Sequence, residues 1–197
     1  FSIVNKYPDA VDFSMPFSIG IHPWFINIET LSQELLVVEE KLQETNCYAI
    51  GECGLDTVCQ IDLDLQKEVF KKHIQLSEKY KRPIIIHCVK ALDEIIAFRK
   101  ELKPKQVWIL HGFQSSFQVA DSLFKNDIFI AIGAAILQNK KLQETVYKMP
   151  LSAILLETDN KEISIIEIYK KVAVLKGVPV EILQQEIKHN FNSIFKR

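Results

Sequence analysis

Short apolar runs recur along the chain, and most are followed at once by a side chain that can bind a metal or move a proton. The runs are 17–21 before His22, 48–50 before Glu52, 83–86 before His87, 107–110 before His111 and 154–156 before Glu157-Thr158-Asp159. Runs this short predict strands that are buried on both faces, which is typical of parallel sheets covered by helices. Each of these predicted strands therefore ends on a polar side chain.

Amphipathic segments lie between the runs and predict the covering helices, because their apolar residues recur at helical spacing. These segments are 30–45, 62–81, 91–102, 142–148, 163–176 and 181–195. With two further apolar runs, 2–4 and 128–132, the chain has about seven strands alternating with helices. A closed (β/α) barrel has eight strands. The pattern therefore predicts an α/β fold, a TIM-type barrel without its first strand, as a single domain over 1–197.

The carboxyl ends of parallel strands form the active face of such folds. If the strands are parallel neighbours, His22, Glu52, His87, His111 and Asp159 meet at one mouth. Imidazoles and carboxylates together suit zinc, manganese or a related divalent ion. Any one of these histidines alone is more often a hydrogen-bonded loop residue, but five such positions together favour a metal site.

Other histidines and aromatic residues fit this picture less directly. His73 lies among the lysines of a predicted helix, which predicts a surface or rim position, and His189 lies far from any strand end. Neither is included in the predicted site. Trp24 follows His22 and Pro23 and could wall a pocket, although a core position is at least as good an interpretation.

Composition narrows the function classes without selecting one. Among 197 residues, 24 are Lys or Arg and 25 are Asp or Glu, so no global positive charge attracts a polyanion. The four cysteines lack paired CxxC spacing and are predicted to be free thiols, with a thiolate ligand at Cys53 or Cys88 as a minor alternative. No apolar run is long enough to span a bilayer, which predicts a cytoplasmic protein with no membrane contact. No obligatory protein partner is indicated.

Several segments, in this order, resemble the signature segments of the TatD family of metal-dependent deoxyribonucleases. They are 18–24 (SIGIHPW), 50–56 (IGECGLD), 86–87 (IH), 110–113 (LHGF) and 156–159 (LETD), with a closing pattern from Asn190 to Phe195. Each motif alone is weak, but the ordered set covers nearly the whole chain.

The resemblance implies an amidohydrolase-like barrel with one or two divalent ions, zinc, manganese or magnesium, at its mouth. It implies that Glu52 is a bridging carboxylate, that His87 and His111 are imidazole ligands, and that Asp159 is a ligand that also handles a proton. Glu52 and Asp159 are thus the expected catalytic residues, and His22 a substrate-binding residue at the mouth. The implied reaction is hydrolysis of phosphodiester bonds in DNA ends by a metal-activated water.

The sequence also departs from the family pattern. The family begins with a strand that carries a His-x-His pair, and the chain has no such pair, which suggests a missing N-terminal piece or a degenerate site. Lys90 stands near the position where the family has an arginine, and it could bind a substrate phosphate instead. Ser115 replaces a family glycine, and the proline expected after Asp159 is absent at Asn160-Lys161.

These departures leave two alternatives open. The same barrel could hydrolyse a small amide, ester or lactone, or it could be a catalytically degenerate barrel that acts as a binding protein.

Overall fold

The computed structural model describes residues 2–159 and 161–195, and within them seven strands are hydrogen-bonded in chain order. The strands are β1 (Val4–Lys6), β2 (Phe17–Ile19), β3 (Cys47–Asp56), β4 (Ile84–Val89), β5 (Trp108–Leu110), β6 (Ile128–Ile132) and β7 (Ile154–Leu156). The observed pairs β1–β2, β2–β3, β3–β4 and β6–β7 are parallel. The predicted α/β class with about seven parallel strands is confirmed.

Seven α-helices occur in the described residues, and one lies between each pair of consecutive strands from β2 to β7. They are α1 (Leu31–Lys41), α2 (Leu63–Tyr80), α3 (Leu92–Leu102), α4 (Phe117–Phe124), α5 (Lys140–Lys148), α6 (Ile165–Lys176) and α7 (Val180–Ile194). Three short 3₁₀ helices occur as well, at Pro23–Phe25, Ala134–Leu137 and Leu151–Ala153. All six helices predicted from apolar spacing are present, with ends that differ by up to four residues.

Local side chains explain several of these helix ends. The Asp62 carboxylate accepts hydrogen bonds from the backbone N–H groups of Asp64 and Leu65, which begins α2. Gly177 has φ 63° and ends α6 in the left-handed conformation that glycine adopts at helix C-termini. Ser116 precedes α4, but its side chain makes no capping hydrogen bond.

The chain divides into two compact units, Phe1–Trp108 and Ile109–Arg197, and the boundary falls within β5. In the first unit, α2 packs on β3 and completes a core around Phe70. The Phe70 ring contacts the rings of Phe98 and Trp108 edge to face, with both centroid distances 5.5 Å. Trp108 is fully buried, so this aromatic cluster lies at the centre of the unit's apolar core.

In the second unit, buried residues of β6 and β7 pack with helices α4 to α7. The buried Asn190 of α7 donates hydrogen bonds from its side chain to the carbonyl oxygens of Leu151 (2.7 Å) and Ile154 (2.9 Å). Asn190 thereby ties α7 to the start of β7. The Lys176 ammonium donates to the carbonyl oxygens of Tyr147 and Met149, at the end of α5.

Two sequence-based expectations are wrong. Neither Glu52 nor His87 ends its strand, because β3 continues to Asp56 and β4 continues to Val89. His73 is not a surface or rim residue, because it is fully buried on the inner face of α2. The departure noted at Asn160-Lys161 lies partly outside the described residues. No helix in the described part of the chain is long and apolar enough to cross a membrane.

Candidate metal centre

Two glycines allow β3 to lie against β4 closely enough to bring their polar side chains together. Gly51 has φ 123° and Gly54 has φ 144°, both in a region that L-residues rarely adopt. A Cβ atom at Gly51 would overlap the carbonyl oxygen of Ile85, and one at Gly54 would overlap that of His87. The Gly51–Glu52 peptide bond is cis, and the strand register shifts between Ile50 and Cys53. The Glu52 side chain faces His87 across the two strands.

The Glu52 carboxylate lies between two imidazole rings. Its Oε1 atom is 3.2 Å from Nδ1 of His87 and 3.4 Å from Nε2 of His22. One ligand atom from each of the three residues lies within 4.8 Å of the others. The Glu52 backbone N–H donates to Oδ1 of Asn5 in β1, at 2.6 Å, which fixes the chain at this point.

The Asp56 carboxylate contacts the His87 ring nitrogen that is opposite Glu52. Its Oδ2 atom is 3.0 Å from Nε2 of His87 and accepts a hydrogen bond from Nε1 of Trp24 at 2.6 Å. Oδ1 of the same carboxylate accepts from the backbone N–H of Val58 at 2.8 Å. Burial alone would raise the pKa of Asp56, but hydrogen bonds from His87, Trp24 and Val58 outweigh it and lower this pKa below its usual range. Asp56 is therefore a carboxylate at neutral pH.

An ionised Asp56 favours the tautomer of His87 that carries its proton on Nε2. In that tautomer, Nε2–H of His87 donates to Asp56, and the lone pair of Nδ1 is directed toward Glu52. A histidine that ligates a metal commonly donates its other N–H to a carboxylate in this way. His87 and Glu52 thus fit a divalent ion as neighbouring nitrogen and oxygen ligands.

His22 fits a metal less well than distance alone indicates. Its Nδ1 accepts a hydrogen bond from the backbone N–H of Trp24 at 3.1 Å, so this nitrogen carries no proton. In the neutral ring the proton is then on Nε2, the atom that faces Glu52. A metal on Nε2 would require loss of that proton or of the Trp24 hydrogen bond. His22 is better suited to donate a hydrogen bond.

Two buried polar side chains of α2 hold the backbone on which the site residues lie. Gln66 of α2 is fully buried, accepts a hydrogen bond from the Asp56 N–H at 2.7 Å and donates to the Asp56 carbonyl oxygen at 3.0 Å. Nε2 of His73, also on α2, accepts from the backbone N–H of Ile21 at 3.0 Å. Helix α2 therefore fixes the backbone at Asp56 and directly before His22.

The cysteines beside the predicted ligands are not suited to bind a metal as thiolates. Burial raises the pKa of the Cys88 thiol to about 11 and the pKa of Cys53 well above its ordinary value. Both thiols are therefore protonated near neutral pH. They are free, as predicted, and they fill space in the first unit as small apolar groups.

The remaining predicted site residues are found at other strand ends. His111 follows β5, and its Nδ1 is 4.0 Å from Oε1 of Glu157. Glu157 Oε1 also accepts from the backbone N–H of Gly112 at 2.6 Å. Asp159 lies three residues after β7 with φ 50°. Lys90 follows β4 directly and is exposed. The structure brings together His22, Glu52 and His87, and the roles of His111, Asp159 and Lys90 stay predictions.

Sequence reasoning missed three residues that orient the ligands, and it considered Trp24 only as a residue that could wall a pocket. Asn5, Trp24, Asp56 and Gln66 all bond to the His22–Glu52–His87 group or to its backbone. Asp56 had a detectable signal, because it ends the segment that contains Glu52 and lies four positions after it in β3. Asn5 and Gln66 had no signal in the sequence, because each acts through contacts with residues outside its own segment.

Comparison with known proteins agrees with this fold. The sequence profile of the family described as TatD related DNase matches residues 3–196. An uncharacterized metal-dependent hydrolase of Haemophilus influenzae is 26% identical over 96% of this chain and 79% of its own length. A human protein named as a 3'-5' RNA nuclease is 30% identical over 72% of this chain and 19% of its own length. A crystal structure of a TatD homologue from Escherichia coli K12 matches with a TM-score of 0.81 and 21% identity, over 92% of this chain and 78% of that one.

The chain therefore belongs to the TatD related DNase family. It is a metal-dependent hydrolase by the descriptions that its relatives share, and His22, Glu52 and His87 form a group that could hold a metal.

Proposed function

We propose that the chain hydrolyses phosphodiester bonds of nucleic acid, with single-stranded DNA ends as the first substrate to test. The observation that carries the proposal is the Glu52–His87 pair, whose facing oxygen and nitrogen atoms are 3.2 Å apart and are oriented by Asp56. The family's description and the relative named as an RNA nuclease support a nucleic acid substrate.

In the first unit, some residues would bind the metal or the substrate, and another orients a ligand. Glu52 and His87 would hold a zinc, manganese or magnesium ion, which when bound polarises a phosphoryl oxygen and lowers the pKa of a water molecule. Asp56 keeps the proton of His87 on Nε2 and so keeps Nδ1 available. His22 presents Nε2–H as a donor, which suits a substrate phosphate oxygen.

The roles proposed for His111, Asp159 and Lys90 rest on the family resemblance. His111 is proposed as a further ligand, Asp159 as a ligand and proton acceptor, and Lys90 as a cation for a substrate phosphate. A carboxylate can accept a proton from an attacking water when it lies within hydrogen-bond reach of it. His111→Ala and Asp159→Asn are each expected to lower metal-dependent turnover at least tenfold, and Lys90→Ala is expected to raise KM more than it lowers kcat. A cytoplasmic location also stays a proposal.

The proposed activity is tested by hydrolysis of single-stranded DNA and RNA during titration with manganese or magnesium. We expect metal-dependent cleavage that Glu52→Gln abolishes, because the amide cannot supply the anionic ligand. Glu40→Gln, a change on α1 of the same unit, is the matched control and should keep activity. Metal binding with no cleavage of either nucleic acid would contradict the proposal and favour a small amide, ester or lactone as substrate. Neither binding nor cleavage would favour a binding protein.

A further inference from the structure

Two adjacent aromatic side chains are exposed directly beside the candidate metal centre. Trp24 and Phe25 lie on the 3₁₀ helix that follows His22, and their exposed fractions are 55% and 56%. A single exposed aromatic residue is common and needs no explanation. Here both rings contact the ring of His22, with centroid distances of 5.1 Å for Trp24 and 5.4 Å for Phe25. The exposed aromatic surface is therefore continuous with the site.

The Trp24 ring is held in place although more than half of the side chain is exposed. Its indole N–H donates to Asp56 at 2.6 Å, and its backbone N–H donates to His22 at 3.1 Å. The preceding Pro23 is buried and begins the 3₁₀ helix. A ring fixed in this way loses little conformational entropy when a flat ligand packs on it.

The distance between the Trp24 and His87 rings indicates what kind of ligand could pack on Trp24. The ring centroids of Trp24 and His87 are 5.9 Å apart, a span of roughly two steps of about 3.4 Å between successive nucleotides of one DNA strand. A phosphodiester at the Glu52–His87 pair would therefore carry a neighbouring base within reach of Trp24. Every nucleobase has a flat apolar face that stacks on indole.

We propose that Trp24 is a stacking platform for an unpaired nucleobase next to the phosphodiester bond that is cleaved. This inference rests on the proposed nuclease function and adds a subsite to it. Stacking does not depend on base identity, so the subsite selects single-stranded over paired nucleic acid without selecting a sequence. Phe25, whose ring centroid is 5.4 Å from that of Tyr7, extends the aromatic surface.

The two tryptophans of the chain provide a direct spectroscopic test. Trp24 is largely exposed and Trp108 is fully buried, so a base that stacks on the surface quenches only the emission of Trp24. The magnesium-loaded chain would be titrated with a short single-stranded oligonucleotide that has phosphorothioate linkages to slow cleavage. A second titration would use an abasic strand with the same backbone. We expect quenching and tighter binding with the base-containing strand only.

Substitutions separate stacking from the hydrogen bond that Trp24 makes to Asp56. Trp24→Leu removes both and is expected to weaken binding of the base-containing strand about 5- to 150-fold, the range for loss of one stacked base. Binding of the abasic strand should change much less. Trp24→Phe keeps a ring without the N–H, and it should retain most of the preference for the base-containing strand. Leu36→Ala, at an exposed apolar residue of α1, is the control and should leave both affinities unchanged.

The outcomes distinguish this inference from the function on which it rests. Equal affinities for both strands, with no quenching, would overturn the stacking platform and leave the nuclease proposal standing. A preference that survives Trp24→Leu would also overturn it. If neither strand binds while DNA and RNA are not cleaved, the proposed function fails and the stacking platform fails with it.

Discussion

At the residue scale, two histidines of the first unit have their protonation fixed by backbone N–H groups. The N–H of Trp24 donates to Nδ1 of His22, and the N–H of Ile21 donates to Nε2 of His73. A backbone N–H can only donate, so each acceptor nitrogen must be unprotonated. Two backbone N–H groups three positions apart thus assign opposite tautomers to His22 in the site and to His73 on α2.

Replacement of Asp56 should lower metal affinity while the chain still folds. In Asp56→Asn, the amide cannot accept from His87, Trp24 and Val58 together, so at least one donor faces another donor. We expect the His87 proton to shift to Nδ1 and metal affinity to fall about 10- to 100-fold. Isothermal titration with manganese measures this, with Asp64→Asn, at an exposed position of α2, as the control. Unchanged affinity in Asp56→Asn would show that Asp56 does not orient His87.

His73 should make the stability of the chain depend on pH in mildly acidic solution. Burial lowers the pKa of His73 from 6.5 to about 4, and the hydrogen bond to the Val69 carbonyl opposes this only in part. The unfolded chain therefore binds more protons than the folded chain between these values. Stability is complete above about pH 6.5, falls as pH drops, and levels off below about pH 4, with a total loss of about 3 kcal/mol.

Urea unfolding at several pH values measures this loss. His73→Gln can keep an acceptor for Ile21 and a donor for Val69 without titrating, so it should flatten the curve in this pH range. His189→Gln, at an exposed position of α7, should leave the curve as it is. A slope that His73→Gln does not reduce would assign the pH dependence to other groups.

At the element scale, the close approach of β3 to β4 depends on glycine. Gly54→Ala would place a methyl group against the carbonyl oxygen of His87 at a φ of 144°. We expect a loss of at least about 2 kcal/mol, because backbone strain and overlap add. Gly177→Ala, where φ is 63° and the Cβ position is open, should cost only about 1 kcal/mol. Urea unfolding compares the two, and equal losses would mean that β3 can move away from β4.

The elements that were predictable from sequence are those with a local pattern. Apolar spacing located all six predicted helices, because an amphipathic helix encodes its buried face in its own residues. The same local pattern failed at β3, where an apolar run was expected to end at Glu52. The strand continues because Asn5 and β4 supply hydrogen bonds and space from elsewhere in the chain. His73 was misplaced for the same reason, since its partner Ile21 is 52 residues away.

In the site, too, residues within a local pattern were predictable and residues that act through distant contacts were not. Glu52, His87 and His22 were recognisable because each follows an apolar run in an ordered set of motifs. Asn5 and Gln66 were not, because an amide side chain within an ordinary segment gives no sign of which backbone group it will bond. What sequence revealed was the candidate ligands, and what it could not reveal was the set of residues that orients them.

At the scale of the whole molecule, membership of the TatD related DNase family joins the fold to metal-dependent hydrolysis. The first unit contains a carboxylate held among two imidazoles, His22 and His87, which are largely buried with it. Glu52 and the ionised Asp56 place carboxylates on both sides of the His87 ring. A divalent cation would offset this negative charge in the folded chain. The unfolded chain has no equivalent group of ligands, so the cation would stabilise the folded state.

Metal removal should therefore lower the melting temperature of the whole chain. A ligand present at about 100 times its Kd stabilises the folded state by about 2.7 kcal/mol, provided that it does not bind the unfolded state. For a chain of this length, each kcal/mol changes Tm by about 2 to 4 °C, so treatment with a chelator should lower Tm by about 5 to 11 °C. Calorimetry with manganese and with EDTA measures the difference. In Glu52→Gln the two Tm values should coincide, because the anionic ligand is gone, whereas Asp64→Asn should keep the full difference. A metal-dependent Tm shift that persists in Glu52→Gln would place the ion elsewhere in the molecule.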